Sequence, residues 1–128
     1  MTEKAYAPFV PAQRPGSSPG AKPVYRVLVH RKFLNQWNDM VDRVGLQQAQ
    51  QFWDHVAYTP GQTSPIASIT ILRGKAGWPM AEGWSRTNHY EVTGAGRINY
   101  QFHNEFSDGA LGDAHKVVAI RTIDYGSH

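Results

Sequence analysis

Two helical periods that meet at one glycine constrain this chain more than any other feature. Phe33, Leu34, Trp37, Met40, Val41 and Val44 recur at spacings of three and four, which places them on one helical face. Gly45 follows directly, where a left-handed residue is expected to end a helix. Leu46, Ala49, Phe52, Trp53, Val56 and Ala57 then form a second apolar face, and Thr59-Pro60-Gly61 stops it. Two amphipathic helices joined so tightly make an antiparallel hairpin. Each still has apolar surface to bury, so the fold needs a second layer.

The rest of the chain supplies that layer as strands. Val24–His30 is rich in valine and free of Gly and Pro. After the hairpin come Ile69–Leu72, an extended stretch over Arg86–Thr93, and Arg97–His103, in which Ile98, Tyr100 and Phe102 alternate strictly with polar residues. Gly94-Ala95-Gly96 turns the chain between the last two, and Lys116–Ile123 is the final strand. The residues 105–114 between them form a looser stretch with Gly109 and Gly112. The expected fold is a small two-layer α+β domain: an N-terminal strand, the helical hairpin, then a mainly antiparallel sheet of three or four strands. At 128 residues and 14.3 kDa, there is enough chain for one core and not for two.

Residues 1–23 stand apart. They hold five of the eight prolines and no apolar period, and are expected to form a disordered, proline-rich arm preceding a domain over 24–128. The arm also carries two of the three net positive charges. The remaining residues hold ten basic side chains against nine acidic, so bulk basicity says little. Placement says more. Residues 33–64 carry one arginine against Asp39, Asp42 and Asp54, whereas 69–103 carry four cations against two carboxylates. With no cysteine, thiolate metal sites, disulfides and cysteine nucleophiles are excluded. No HxH or HExxH spacing occurs, so neither a metal nor any other cofactor is expected. Neither a signal-like apolar stretch nor a membrane-spanning run is present, which fits a cytoplasmic protein with no membrane contact.

The alternation in 97–103 locates the candidate chemistry. If Ile98, Tyr100 and Phe102 face the helices, then Arg97, Asn99, Gln101 and His103 face away, onto a sheet surface with no helix left to cover it. Arg73, Lys75, Arg86 and His89 reach the same surface in a suitable register. A face of this composition suits a phosphate backbone; a solvated sheet face with incidental arginines is the plainer reading. Trp78 and Trp84 lie in a Gly- and Pro-punctuated loop beside these cations, placed either to stack on a base or to pack a lid.

The element order, together with ILRGK (71–75), Trp84-Ser85-Arg86, GRINY (96–100) and the closing IDYGSH (123–128), resembles the RelE/ParE superfamily of bacterial toxin–antitoxin toxins, and its ribonuclease branch in particular. The resemblance covers residues 24–128. It implies a metal-independent, ribosome-dependent mRNA endoribonuclease, with a cognate antitoxin protein and ribosome-bound mRNA as partners. Carried over by position, Arg97 contacts the scissile phosphate, Arg73 and Lys75 supply cations after the second strand, and Arg86 is a further phosphate ligand. Tyr125 and His128 fall where relatives keep a stacking tyrosine and a proton-transferring histidine, and Arg121 joins the phosphate group. Two residues separate Tyr125 from His128 where relatives often have the pair adjacent, so His89 and Glu82 compete for the proton-transfer role. The same fold also hosts toxins that bind DNA gyrase without cutting RNA, and a non-toxic, antitoxin-binding remnant is a third possibility.

Overall fold

The computed structural model describes residues 8–17, 20–62, 68–92, 96–106 and 114–125. Its strands are β1 (Phe9–Pro11), β2 (Arg26–His30), β3 (Ser68–Ile71), β4 (Asn88–Val92), β5 (Gly96–Phe106) and β6 (His115–Asp124). The helices are α1 (Leu34–Asn38), α2 (Met40–Val44) and α3 (Leu46–Tyr58), all between β2 and β3. One mixed sheet has the order β1-β2-β6-β5-β4-β3; β2 and β6 run parallel and every other pair antiparallel. The expectation of a small α+β domain therefore holds, with a larger sheet than predicted. No helix among the described residues is long and apolar enough to cross a membrane.

The hairpin forms as the periodicity predicts, with a break at Asp39 that divides its first limb into α1 and α2. Gly45 sits at φ +92°, a conformation that a side chain would strain, and its N–H donates to Val41 O at 2.8 Å. The hairpin covers one face of the sheet. Phe52 fills the centre of that interface, edge-on to Trp37, Tyr90 and Tyr100 with ring centroids 4.9–6.1 Å apart. Val27, Val29, Ile98, Val118, Ile120 and Ile123 complete the core from the strands. At the end of α3, Pro60 O accepts from Tyr100 Oη at 2.8 Å and Asn88 Nδ2 at 3.1 Å, which ties the helix terminus to β4 and β5.

The N-terminal segment differs from the expected disordered arm over its described residues. Phe9–Pro11 pairs with Leu28–His30, Arg31 N–H donates to Pro8 O at 2.9 Å, and Ala12 N–H donates to Val27 O at 2.9 Å. Beyond the strand, Trp53 Nε1 donates to Ala12 O at 2.8 Å, and Arg14 grips both carboxylate oxygens of Asp54 at 2.8 and 3.0 Å. Tyr58 Oη donates to Ala21 O farther along. Proline lacks the N–H for a central strand but is compatible with a sheet edge, where one side of the strand needs no donors. Read as a disorder signal, the proline spacing concealed this edge strand.

Candidate functional site

The second face of the sheet carries the polar residues that the alternation predicts. Paired residues share a face, so the register sets out rows across it. One row runs Glu91–Arg97–Asp124 and the next Thr70–His89–Asn99–Thr122. In the first, Arg97 Nε lies 3.5 Å from Glu91 Oε2, with both side chains about 40% exposed (38% and 41%). In the second, His89 Nδ1 meets Asn99 Oδ1 at 2.7 Å. A carbonyl oxygen only accepts, so Nδ1 carries a hydrogen and Nε2 is the nitrogen left to take up or give a proton. Successive rows are two residues apart along a strand, roughly 7 Å. His89, Glu91 and Arg97 thus form a compact group of a proton carrier, a carboxylate and a cation on one open surface.

A third row begins the covered part of this face. Gln101 is completely buried, its Nε2 donating to Trp78 O at 2.8 Å and Thr87 Oγ1 at 2.9 Å, while its Oε1 accepts from Met80 N–H at 2.9 Å. The chain between β3 and β4 therefore folds over Gln101 and walls off one end of the polar rows. Beyond it, Trp84 bridges to His103 and packs edge-on against it, with ring centroids 5.3 Å apart, and Phe106 lies 5.8 Å from both rings. Of the two loop tryptophans, Trp84 is packed and Trp78 is exposed.

The remaining predicted residues that are described do not converge on Arg97. Arg73 and Lys75 are exposed just past β3, Arg73 preceding and Lys75 within a 3-10 turn over Gly74–Gly77. Arg86 holds that turn, donating from Nε to Leu72 O at 3.0 Å and from a terminal nitrogen to Gly74 O at 3.1 Å. Arg86 precedes Glu91 by five positions, so it lies roughly 17 Å of extended chain from the row that holds Arg97. Arg121 is the extra residue of a β-bulge in β6, because Asn99 pairs with Thr122 and Tyr100 with Ile120. His128 lies outside the described residues.

Tyr125 belongs to the opposite layer. Its hydroxyl donates to Gln36 O, Arg43 lies 5.3 Å over its ring, and its ring would be 3.4 Å from a Cβ placed on Gly96. Burial pushes the phenol up to about 12, with Asp39 adding to the shift. It stacks a helix on the sheet, and the alternation that sends Arg97 outward sends Tyr125 inward. The expectation that Tyr125 and Arg97 share one site is therefore corrected.

Two further corrections concern charge. Arg97 stands between Glu91 and Asp124, so its row carries more carboxylate than cation. Arg73, Lys75 and Arg86, against the single carboxylate Glu82, lie instead on the 73–86 segment. In the sequence Glu91 stands out only through the charge balance; its position six residues before Arg97, on the other side of Gly94-Ala95-Gly96, is the sign that the two would pair.

A cleft of about 520 Å³ lies elsewhere, between the 11–16 segment and the hairpin, lined by Pro11, Pro15, Leu34, Trp37 and Val41 among others. Among the described residues, no titratable side chain lines it. Among the described residues, no group of three or more His, Asp or Glu could hold a metal ion. No protein-family model, curated protein or solved structure matches the chain.

Proposed function

We propose that this protein is a metal-independent endoribonuclease acting on ribosome-bound mRNA, the toxin of a toxin–antitoxin pair, as the resemblance to the RelE/ParE superfamily implies. The observation that carries the reading is the His89, Glu91 and Arg97 group on the open sheet face. Cleavage by internal transfer needs a base for the 2′-hydroxyl, a cation for the phosphorane oxygens and an acid for the departing 5′-oxygen. Glu91 takes the 2′-hydroxyl proton. The 2′-oxygen attacks phosphorus, the bond to the 5′-oxygen breaks, and protonated His89 Nε2 supplies the proton to that oxygen. A 2′,3′-cyclic phosphate and a 5′-hydroxyl result, and Arg97 stabilises the charge between them. Asn99 fixes the imidazole by holding Nδ1. DNA lacks the nucleophile and is not cut.

The test is to add the purified protein to translating ribosomes and map the mRNA ends. Cleavage with cyclic-phosphate termini is expected, and Glu91→Gln, His89→Ala and Arg97→Ala should each slow it by about 10²-fold or more with the fold intact. Intact transcripts with normal protein synthesis would overturn the reading. A second reading, a non-nuclease toxin that binds DNA gyrase, is favoured by Tyr125 lying away from Arg97 and by the carboxylates on either side of that arginine. Gyrase inhibition without RNA cleavage would establish it.

A further inference from the structure

Trp78 is the largest exposed apolar side chain among the described residues, 58% accessible, and its backbone is held from both sides. Its N–H donates to Lys75 O at 3.2 Å, and its carbonyl accepts from the buried amide of Gln101 at 2.8 Å. Immediately before it, Gly77 O accepts from Thr87 N–H at 3.0 Å. A Cβ on Gly77 would lie 2.0 Å from Leu72 O and 2.8 Å from a terminal nitrogen of Arg86, so the turn is packed tightly against its own base. Pro79 follows, and Trp78 adopts the extended conformation (φ −60°, ψ +135°) that a following proline favours. A lone exposed tryptophan is ordinary; one mounted on a backbone pinned in this way is a rigid platform.

Its surroundings specify what the platform suits. Residues 68–86 contain Arg73, Lys75 and Arg86, the last at the base of the turn, against one carboxylate, Glu82. Neither Arg73 nor Lys75 forms an ion pair among the described residues. The Trp78 carbonyl sits over Gln101, one row of the sheet from His89 and Asn99. An exposed aromatic face with Arg73 and Lys75 exposed on the same short segment matches an unpaired nucleobase flanked by phosphates. In a duplex the base faces are already stacked on one another and are not offered to a side chain.

We infer that Trp78 is a base-stacking platform, with Arg73 and Lys75 as its phosphate contacts, and that it restricts the substrate to single-stranded RNA. The inference rests on the ribonuclease reading for the cleavage that follows, and its test uses binding alone. A fluorescein-labelled, 2′-O-methylated oligoribonucleotide, which cannot be cleaved, is titrated with the full chain and followed by anisotropy, beside a duplex of the same sequence. Wild-type protein should prefer the single strand. Trp78→Ala should weaken single-strand binding about tenfold or more and leave duplex binding alone, whereas Trp78→Phe should stay within about threefold of wild type. Arg73→Ala and Lys75→Ala should each lower the steepness of the salt dependence by about 0.7, and Trp78→Ala should not. Equal affinity of Trp78→Ala and wild type, equal affinity for strand and duplex, or no binding by wild type overturns the inference. Preserved Trp78-dependent binding with no cleavage of ribosomal mRNA leaves the platform standing and removes the ribonuclease reading.

Discussion

Replacing Gln101 by leucine should release the loop that walls off the polar rows. The wild-type side chain is fully buried and makes three neutral hydrogen bonds of 2.8–2.9 Å, to Trp78 O, Thr87 Oγ1 and Met80 N–H. Each such bond contributes about 0.5–1.5 kcal/mol net, so their joint loss costs about 3 kcal/mol. Leucine has a similar volume, and no cavity cost needs to be added. For a domain of this size, that loss corresponds to a fall of about 10 °C in Tm. Thermal denaturation followed by far-UV circular dichroism measures it. Thr87→Val removes one of the three bonds and should cost about 1 kcal/mol, with less than additive effect in the double variant because the two residues share that bond. Trypsin reports the local consequence, since Arg73, Lys75 and Arg86 lie in or beside the loop and should be cut faster once it lifts. A Gln101→Leu protein with Tm within about 2 °C of wild type, and an unchanged tryptic pattern over 73–86, would refute the argument.

Three other outcomes follow from particular contacts. Gly77→Ala forces a Cβ to within 2.0 Å of the Leu72 carbonyl oxygen, so the backbone must move; a loss of about 1–3 kcal/mol in urea denaturation is expected, and an unchanged midpoint would be inconsistent with the packing. The His55 Nε2 is buried with no hydrogen-bond partner among the described residues, and burial lowers the imidazole from its ordinary value. The unfolded chain then binds a proton more readily than the folded protein, so stability should be full above the ordinary histidine range and fall as pH drops below it. His55→Leu should flatten that fall in a series of urea midpoints; an equally steep fall in the variant would assign it elsewhere. The amide of Ala12, which donates to Val27 O, should exchange with deuterium far more slowly than an unstructured peptide, and free-peptide exchange would restore the disordered arm.

The helical hairpin was legible because its spacing is a local property. Each apolar residue in 33–57 meets others three or four positions away, and the break at Gly45 needs no information from the rest of the chain. The alternation in 97–103 was legible for the same reason, and it correctly sent Arg97 and Asn99 to one side and Tyr100 to the other. The N-terminal strand was not. Three residues with a proline at the end have no period to detect, and what orders them is β2, together with Trp53 and Asp54 some forty positions away. The candidate site was half legible: Arg97 and His89 stood out by type, while Glu91 became relevant only through its pairing.

By itself, the sequence determined the helical hairpin and the later strands, their two-layer class and which side chains on each strand share a face, because these depend on periods of 3.6 and 2 along the chain. Tertiary structure decided which strands are neighbours and in what register, and so which charges meet. That step separated Tyr125 from Arg97, set Glu91 beside Arg97, engaged Arg86 with backbone carbonyls and left Trp78 exposed on a pinned turn. The physical reason is range. Periodicity is enforced by neighbours a few residues away, whereas an ion pair, a bulge or a docked arm depends on contacts between segments that only folding brings together.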